Sequence, residues 1–339
     1  MLTRWRLGEG MKESEIRSAE AMERLIALCA EDAETFFVGQ PRHDLPCPAC
    51  DCHRVTPAFV KNTFGFVVCD ACGSLFQSPR PPLPAFTRFY QEGASNQYLF
   101  KTFYPMVADA RREKLFRPRV REVARLLAED LLSPRMVGEV GAGYGLFLEE
   151  WERQYPGATL TAIEPNGEMA EVCRGKGFEV IQCMAEEIAG QVPPFDLLVA
   201  FEVIEHAYDP FRFCQALRRN LGRKGRLLLT GLTVDGFDIQ VLWDKAQIVA
   251  PANHLNFLSV KGFEEMLKRA GFTNVNVFTP GKLDVEIVRR TVAGGEALPP
   301  EMRFIQKLLG QDAETLAAFQ GFLSQHKLSS HCWAWASVD

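Results

Sequence analysis

Hydrophobic positions follow two alternating patterns through most of the chain. Short apolar runs typical of buried strands alternate with stretches in which apolar residues recur every three or four positions, as on one face of a helix. The predicted strands cover residues 136–140, 159–163, 179–182, 195–201, 226–230 and 273–278. The predicted helices begin with one from Pro118 and continue over 146–154, 167–175, 210–221 and 260–270. Strands that alternate with helices predict an α/β fold with a doubly wound parallel sheet.

The two ends of the chain have different patterns. Residues 12–37 have apolar positions at helical spacing between charges, which predicts an amphipathic helix used for packing or dimerisation. Residues 301–323 are helical by spacing, whereas 283–292 fits either a strand or a helix. Alternation in 331–338 places Trp333 and Trp335 on one face and predicts an antiparallel edge strand. Residues 282–328 are then a helical insertion between the last two strands.

Composition narrows the class of protein. The chain has 339 residues, of which 47% are hydrophobic and 24% charged, and this excludes a disordered or fibrous protein. No segment approaches the ~20 apolar residues of a membrane-spanning helix, and the N-terminus lacks the apolar region of a signal peptide. We therefore expect a cytoplasmic protein. The net charge of −5 argues against nucleic-acid binding by the whole surface.

Cysteines are concentrated near the N-terminus. Residues 47–72 contain two C-x-x-C pairs separated by two short predicted strands, 55–60 and 64–68. This spacing is typical of a zinc ribbon, in which each pair lies on a tight turn and supplies two thiolates. The predicted ligands of one structural Zn²⁺ are Cys47, Cys50, Cys69 and Cys72. Cys52 and His53 are spare, because four thiolates already close a tetrahedral site.

These features divide the chain into four predicted units. They are an N-terminal helix (1–40), a zinc ribbon (41–80), an α/β core (81–280) and a C-terminal part with the helical insertion and final strand (281–339). The proline-rich stretch 78–84 predicts a stiff linker. The aromatic-rich stretch 86–103 fits either packing between domains or a lid over a cofactor.

A glycine-rich turn follows the first strand of the core. Gly141, Gly143 and Gly145 lie between that strand and the next helix, and Glu164 ends the second strand. An acid at that position can accept hydrogen bonds from both hydroxyls of a ribose. A dinucleotide site needs G-x-G-x-x-G spacing, because the helix N-terminus meets a pyrophosphate. Here the spacing is G-x-G-x-G and Glu139 precedes it, which favours a ligand with a cationic end over NAD.

Several motifs now resemble a known family. Residues 139–145 (Glu-Val-Gly-Ala-Gly-Tyr-Gly), 162–166 (Ala-Ile-Glu-Pro-Asn), 195–206 and 253–259 look like motifs of class I S-adenosylmethionine (SAM)-dependent methyltransferases. The resemblance covers about residues 118–280. With the zinc ribbon, the chain is similar to zinc-containing sugar C-methyltransferases and related small-molecule methyltransferases, although it lacks the long C-terminal domain of the sugar enzymes.

The resemblance implies a fold, a cofactor and site residues. The fold is a seven-stranded Rossmann-like sheet whose last strand is antiparallel, and the cofactor is SAM. The glycine-rich turn would contact the methionine part, Glu139 its ammonium, Glu164 the ribose, residues 183–186 the adenine, and the end of the fourth strand the sulfonium. The implied cofactor-binding residues are Glu139, Gly141, Ala142, Gly143, Gly145, Glu164, Pro165, Met184, Ala185, Phe201 and Glu202.

A small-molecule acceptor with a hydroxyl or an acidic carbon, such as a sugar or nucleotide sugar, also needs a base. His254 is the favoured base because a neutral imidazole accepts a proton near neutral pH. His206 and Glu205 are further candidates at the carboxyl ends of the strands, with His206 in a supporting role.

Two alternative functions remain open. Glu-x-x-Glu-His at 202–206 together with His254 looks like the Mg²⁺ or Mn²⁺ site of small-RNA 2′-O-methyltransferases. An RNA substrate would need a basic face, for which the arginine-rich stretch 111–125 is the candidate, although such a stretch is more often a solvated helix face. An NAD-dependent oxidoreductase is disfavoured by the glycine spacing.

Overall fold

The computed structural model describes residues 18–188 and 192–339. Eleven strands lie within these ranges, and they form two sheets. The strands are β1 (Val55–Lys61), β2 (Phe64–Cys69), β3 (Leu75–Gln77), β4 (Met136–Val140), β5 (Thr159–Ile163), β6 (Glu179–Ile181), β7 (Phe195–Ala200), β8 (Leu221–Leu232), β9 (Asn256–Phe257), β10 (Thr273–Phe278) and β11 (His331–Ser337).

Helices connect and cover these strands. Several begin where the sequence supplies a side-chain cap, because Asn166, Asp209 and Ser259 each accept a hydrogen bond from a backbone N–H of the first turn. The α-helices are α1 (Ala19–Phe37), α2 (Leu83–Glu92), α3 (Ala94–Tyr98), α4 (Tyr104–Arg111), α5 (Arg117–Glu129), α6 (Leu146–Gln154), α7 (Gly167–Gly175), α8 (Pro210–Asn220), α9 (Phe237–Leu242), α10 (Val260–Arg269), α11 (Asp284–Ala293), α12 (Arg303–Leu309) and α13 (Ala313–Gln325). Short π-helical segments, Leu99–Phe103 and Arg112–Phe116, join α3 to α4 and α4 to α5.

The main sheet has seven strands in the order β10-β11-β8-β7-β4-β5-β6. Its strands are parallel except β11, which is antiparallel to both neighbours. The sequence prediction of a doubly wound seven-stranded sheet is confirmed. The prediction that the last strand lies at an edge is wrong, because β11 is inserted between β8 and β10. Trp333 and Trp335 are buried on one face and Ala334 on the other, as expected of an interior strand.

A smaller antiparallel sheet has the strand order β1-β2-β3-β9. The first three strands belong to the cysteine-rich segment, whereas β9 lies between β8 and α10. The predicted linker at 78–84 does not separate the two parts. Arg80 is 1% exposed and donates hydrogen bonds to the carbonyls of Tyr208 and Leu255 and to Asn256 Oδ1. The small sheet is thus bonded directly to the main domain.

Three buried clusters hold the elements together. One lies on the face of the main sheet covered by α8 and α10 and includes Cys47, Cys69 and Cys72, while another lies on the opposite face under α5 and α6. The third joins α1, α2 and the small sheet to α9 and the C-terminal helices.

The C-terminal insertion is helical, as predicted. The ambiguous stretch 283–292 is the helix α11, and the single helix predicted over 301–323 is divided into α12 and α13. The predicted N-terminal helix is observed from Ala19, and residues 12–17 lie outside the described ranges. No helix within the described residues is long and apolar enough to cross a membrane.

Candidate active site

The glycine-rich turn joins β4 to α6 at the carboxyl edge of the main sheet. Gly141, Gly143 and Gly145 have φ of 69°, 54° and 67°, in the left-handed region that favours glycine. A Cβ on Gly141 would lie 2.7 Å from Val203 Cγ2, whereas a Cβ on Gly143 would meet no atom closer than 4.0 Å. The backbone of the turn therefore packs closely against Val203 at Gly141, whereas there is free space beside it at Gly143.

Glu164 stabilises this turn from the end of β5. One carboxylate oxygen accepts the N–H of Gly143 at 2.8 Å, and the other accepts the N–H of Asn166 at 2.9 Å. Burial raises the pKa of Glu164, and these two N–H groups oppose the rise. Each oxygen of a carboxylate can accept a second hydrogen bond, so Glu164 can hold the turn and still receive two hydroxyl groups.

Glu139 lies at the end of β4, just before the turn. It is 3% exposed, and its Oε2 has no hydrogen-bond partner among the described residues. Burial raises the pKa of Glu139 well above its ordinary value, and the charge of Arg119 opposes the rise. A buried carboxyl oxygen without a partner is costly, and it marks a place where a cationic or hydrogen-bond-donating ligand would be stabilised.

The side predicted for adenine is formed by the ends of β5 and β6. Pro165 and Met184 are exposed there, whereas Ala185 is 5% exposed and starts a 3₁₀ turn, Ala185–Glu187. Exposed apolar groups beside a buried small residue make a shallow surface that suits a flat aromatic ring.

Glu202 follows β7 and is the centre of a charged network. Its φ of 51° is unusual for a residue with a side chain. Its carboxylate accepts hydrogen bonds from Arg119 Nη2 at 2.8 Å, Thr230 Oγ1 at 2.7 Å and His331 Nε2 at 2.6 Å. Burial alone would raise the pKa of Glu202, but Arg119 and His331 hold it well below its ordinary value. Glu202 is therefore an anion that is already fully engaged with the protein.

Sequence reasoning missed two members of this network. Arg119 was placed with a solvated helix face, yet its side chain is only 7% exposed and lies over the ring of Phe201 at 4.7 Å. Phe201 itself is 9% exposed and packs against Phe147. It therefore forms part of the wall of the site and offers little surface to a ligand. His331 was noted only as the start of a strand. Because β11 is antiparallel, its first residue lies at the same edge as the last residues of β7 and β8, and this topology was the available signal.

Glu205, His206 and His254 form a second cluster beyond β7. One ligand atom from each lies within 4.8 Å of the others, and the two imidazole centroids are 4.8 Å apart. His206 Nδ1 donates to the carbonyl of Asn253 at 2.8 Å, and His254 Nδ1 donates to that of Ile248 at 2.5 Å. A carbonyl only accepts, so the neutral rings carry their lone pairs on Nε2.

Burial and the charge of Glu202 raise the pKa of Glu205 to about 8, and its Oε2 has no partner among the described residues. Burial also lowers the pKa of His206. The alternative metal site predicted from the sequence included Glu202. In the structure Glu202 lies outside this cluster, because its carboxylate is engaged by Arg119, Thr230 and His331.

Comparison with known proteins decides the class of this domain. Residues 109–277 match the family model described as a methyltransferase domain. Residues 109–277 form a class I, SAM-dependent methyltransferase domain. The ubiquinone biosynthesis O-methyltransferase of Xylella fastidiosa (strain 9a5c) is 36% identical over 106 residues, which are 29% of this chain and 42% of that protein. The tRNA U34 carboxymethyltransferase of Trichodesmium erythraeum (strain IMS101) is 26% identical over 174 residues, 49% of this chain and 53% of that protein.

Solved structures agree on the fold. The plantazolicin methyltransferase BamL, crystallised with a substrate analogue and SAH, aligns with a TM-score of 0.50 at 12% identity and covers 75% of this chain and 94% of its own. The chain spans about half the length of the curated relatives it matches.

The aromatic segment before the methyltransferase domain has two roles. Phe86 and Phe89 on α2 are fully buried and pack against Phe37 of α1. Further along, the carbonyl of Phe100 accepts a hydrogen bond from the hydroxyl of Tyr144, which belongs to the glycine-rich turn. The first half of the segment is therefore packing, and the second half lies against the turn.

The four predicted zinc ligands come together where the turn before β1 meets the turn after β2. Their sulfur atoms all lie within 4.8 Å of one another, with Cys47–Cys72 and Cys50–Cys69 separations of 3.5 Å. Tetrahedral ligands at ~2.3 Å from Zn²⁺ are about 3.8 Å apart, so the arrangement fits a metal. Cys52 is outside the group, as predicted, and its Sγ accepts the N–H of Arg54.

Four arginines of the arginine-rich stretch are engaged by carboxylates of the protein. Arg112 pairs with Glu149, Arg117 with Glu150 and Arg125 with Glu122. With Arg119 buried against Glu202, these arginines are neutralised within the methyltransferase domain.

Proposed function

We propose that this protein transfers the methyl group of SAM to a small-molecule acceptor that carries a hydroxyl or an acidic carbon. The observation that supports this most is the pair of carboxylates around the glycine-rich turn. Glu164 clasps the turn and keeps acceptor capacity, and Glu139 presents a buried oxygen without a partner among the described residues. This is the donor and acceptor pattern that a nucleoside with an amino-acid end requires.

The residues fit SAM at each part of the molecule. The open backbone at Gly143 would leave room for the methionine part, and Gly141, Ala142 and Gly145 shape the turn. Glu164 would accept the ribose hydroxyls, Glu139 the ammonium, and Pro165, Met184 and Ala185 would border the adenine. The sulfonium supplies an electrophilic methyl group, so the protein has mainly to align the acceptor and exclude water. Phe201, held between Phe147 and Arg119, would form the apolar wall, with Glu202 at its border.

His254 is the proposed base for the acceptor. Its Nδ1 hydrogen bond to Ile248 fixes the tautomer, so that Nε2 can take a proton. His206 is fixed in the same way by Asn253 and lies beside it, which suits a supporting role together with Glu205. Replacing His254 by alanine is expected to slow turnover by about 10²–10⁴-fold with SAM affinity nearly unchanged.

A metal-assisted mechanism is the second candidate, and one observation favours it. Glu205, His206 and His254 gather one carboxylate and two imidazoles, each imidazole oriented by a carbonyl as in metal-binding histidines. Such a set suits a divalent ion such as Mn²⁺ or Mg²⁺ that lowers the pKa of an acceptor hydroxyl. If it operates, a chelator abolishes turnover and Mn²⁺ or Mg²⁺ restores it. If His254 is the base alone, adding Mn²⁺ or Mg²⁺ changes turnover neither before nor after chelation.

Small-molecule acceptors are favoured over RNA. One relative is a tRNA U34 carboxymethyltransferase, but Arg112, Arg117 and Arg125 in the arginine-rich stretch of this chain are paired with carboxylates of the same domain. Zn²⁺ on Cys47, Cys50, Cys69 and Cys72 is proposed as structural, because four thiolates leave no open position. We also propose residues 41–80 as a zinc ribbon attached to a core over 81–280, with the N-terminal helix within 1–40 and the insertion and last strand in 281–339.

Calorimetry with S-adenosylhomocysteine (SAH), the product form of SAM, tests the cofactor assignment. Glu164→Ala should weaken SAH binding at least about tenfold, because each charged hydrogen bond contributes ~1.5–3 kcal/mol. Glu168→Ala is the matched control, since Glu168 is exposed and its ion pair with Lys101 lies on the surface. Unchanged affinity in a folded Glu164→Ala protein would remove the ribose assignment. Methyl transfer from labelled SAM should then be screened against nucleotide sugars, small phenols and RNA.

A further inference from the structure

The loop that carries His254 continues into a strand of the small sheet. His254 lies two residues before β9, and β9 is antiparallel to β3, the last strand of the cysteine-rich segment. The backbone N–H of Gln77 donates to the carbonyl of Leu255 at 2.9 Å, which extends this pairing by one step towards His254. The proposed zinc ribbon therefore sets the path of the backbone that carries the proposed base.

Gln77 also reaches His254 with its side chain. This side chain is fully buried, and its Nε2 donates to the carbonyl of His254 at 3.4 Å. One residue of β3 thus binds two successive carbonyls of the loop. The imidazole of His254 is held from within its own loop, because its Nδ1 donates to the carbonyl of Ile248. The ring is fixed by the loop, and the loop is fixed by the ribbon.

Arg80 joins the same loop to the segment that follows β7. Its Nη2 donates to the carbonyl of Leu255 at 3.3 Å and to Oδ1 of Asn256 at 2.9 Å. Its Nη1 donates to the carbonyl of Tyr208 at 2.6 Å. A guanidinium is a rigid planar fork, so these bonds fix the distance and the orientation between the two segments.

The two segments joined in this way carry the two imidazoles of the cluster. Tyr208 follows His206 by two residues, and Leu255 follows His254 directly. The carbonyl of Glu205 accepts the N–H of Leu255 at 2.7 Å, so the segments are also bonded to each other. Because the ring centroids are only 4.8 Å apart, a small shift of either segment changes what both rings face.

The burial of Arg80 is costly for stability. Burial lowers the pKa of Arg80 to about 10, and its three hydrogen-bond acceptors are two carbonyls and one amide oxygen, all neutral. A buried charge that is bonded only to neutral groups is destabilising, and an apolar side chain would avoid this cost. The acceptors of Arg80 and Gln77 all lie at Tyr208 and residues 254–256, beside the two imidazoles. A role in positioning these rings accounts for the cost.

We propose that Gln77 and Arg80 of the ribbon are positioning residues that keep Nε2 of His254 unprotonated and directed at the acceptor. They act through the backbone of residues 254–256. This inference rests on the proposed function, in which His254 is the base, and it gives the ribbon a part in the transfer step. Cofactor affinity should be independent of both residues, since the proposed contacts of the methionine part and the ribose lie at the ends of β4 and β5.

NMR of protein labelled with ¹⁵N-histidine tests the inference with the imidazole itself as the probe. Long-range proton–nitrogen spectra report which ring nitrogen carries the proton, and the signals of His254 are identified by their loss in His254→Ala. At about pH 8.5, above the ordinary pKa of histidine, the wild-type ring should be neutral and protonated at Nδ1.

Gln77→Met is the first variant, because it keeps most of the side-chain volume and removes the amide. The loop should then relax and weaken the bond from His254 Nδ1 to Ile248. We expect the ratio of rings protonated at Nε2 to those protonated at Nδ1 to rise about five- to tenfold, the effect of one neutral hydrogen bond. SAH affinity by calorimetry should change less than about twofold.

Arg80→Lys is the second variant, since an ammonium keeps the charge but has no planar fork to join the two segments. It should shift the same ratio in the same direction. Arg269→Met is the matched control, because Arg269 Nη1 donates to the carbonyl of Ala49 and so joins the ribbon to α10 at a different place. This control should lower stability and leave the protonation of His254 as in the wild type.

The outcomes separate this inference from the proposed function. A wild-type ring protonated at Nδ1 that stays so in Gln77→Met and Arg80→Lys would overturn the inference, because the two residues would then only stabilise the fold. An equal shift in Arg269→Met would overturn it as well. A wild-type ring protonated at Nε2 would remove His254 as the base, and failure of the wild-type protein to bind SAH would instead remove the proposed function.

Discussion

The cysteine cluster of the ribbon and the charged network at the sheet edge are assembled in different ways. All four cysteines come from two short turns within residues 47–72, and each turn delivers two neighbouring ligands. The network takes Arg119 from α5, Glu202 from the end of β7, Thr230 from β8 and His331 from β11. The first depends on local spacing, and the second depends on the order of strands in the sheet.

This difference decides how each region responds to change. A metal cluster with local ligands fails when one ligand is lost, because Zn²⁺ needs all four thiolates to close its site. A network of distant elements combines several hydrogen bonds with the buried packing of the sheet. We expect the loss of one member to lower the free energy of unfolding by the cost of burying its partner's unpaired charge, while the fold survives.

The largest expected effect is the loss of a zinc ligand. Cys69→Ser should reduce bound zinc from one per chain to well below one and lower the free energy of unfolding by at least about 4 kcal/mol, since structural zinc contributes binding energy directly to folding. Metal analysis and denaturant unfolding measure both. Cys52→Ser is the control, because Cys52 lies outside the four-sulfur group and its Sγ is hydrogen-bonded to the backbone of Arg54. Equal zinc loss in the two variants would mean that the four-cysteine assignment is wrong.

The same difference explains what the sequence could predict. The two C-x-x-C pairs and the alternating strands and helices are local patterns, and the structure agrees with them at Cys47 and Cys69 as it does over β4, α6 and β5. Glu139 and Glu164 were predicted as cofactor-binding residues because they have a fixed distance from a glycine-rich turn. Glu164 accepts the N–H of Gly143, so the contact that it makes lies within the motif itself.

Long-range contacts were not available to sequence reasoning. Arg119 lies in a run of arginines, and nothing local distinguishes the one that turns inward to Glu202 from Arg117, which pairs with Glu150. The interior position of β11 was missed because its strand pairing depends on β10, which precedes it by the whole helical insertion. Burial of Arg80 was missed for the same reason, since its acceptors lie near residues 208 and 255.

Removing the centre of the network tests its energetic importance. Glu202→Ala leaves the guanidinium of Arg119 buried without its carboxylate, which should lower the free energy of unfolding by about 3–5 kcal/mol. Glu129→Ala removes an exposed partner of Arg125 on the same helix and should cost no more than about 1 kcal/mol. Denaturant unfolding of the two variants gives the comparison. Similar costs would show that the network is no more stabilising than a surface ion pair.

A buried pair of carboxyl groups outside the active site extends the comparison. Like the charged network it joins elements that are distant in sequence, but both of its members are acids. Asp238 on α9 faces Asp284 on α11, whose carboxylate accepts hydrogen bonds from Gln320 Nε2, Ser329 Oγ and the N–H of Ser330. Burial, and then the charge of Asp284, raises the pKa of Asp238 to about 8, from 3.8.

Since the folded protein keeps this proton and the unfolded chain loses it above about pH 4, the free energy of unfolding should fall as pH rises from 4 to 8. The slope contributed by one such group is at most ~1.4 kcal/mol per pH unit. Asp238→Asn should reduce the measured slope by up to that amount in unfolding curves at pH 5, 6, 7 and 8, while Glu205 keeps its own contribution. Asp312→Asn is the control, because the pKa of this exposed helix cap is lowered and lies below that range. An unchanged slope in Asp238→Asn would show that Asp238 is ionised in the folded protein.

The smallest expected effect concerns the junction between the two regions. Ser259 caps α10 by accepting the N–H of Gly262 at 2.8 Å, and its hydroxyl donates to the carbonyl of the zinc-ligand candidate Cys72 at 2.5 Å. Its own N–H donates to Ser74. Ser259→Ala should therefore lower the free energy of unfolding by about 1–2 kcal/mol, the value of a helix cap.

Because Ser259 is bonded directly to Cys72, Ser259→Ala should also speed the release of zinc to a chelator. Tryptophan fluorescence from Trp333 and Trp335 in the main sheet follows unfolding, and a chromogenic chelator follows zinc. Asp312→Ala removes a cap of the same kind on α13, far from the cysteines, and should lower stability by a similar amount with zinc release unchanged under native conditions. Identical zinc release in the two variants would mean that the hydrogen bond from Ser259 to Cys72 does not hold the cysteine turn in place.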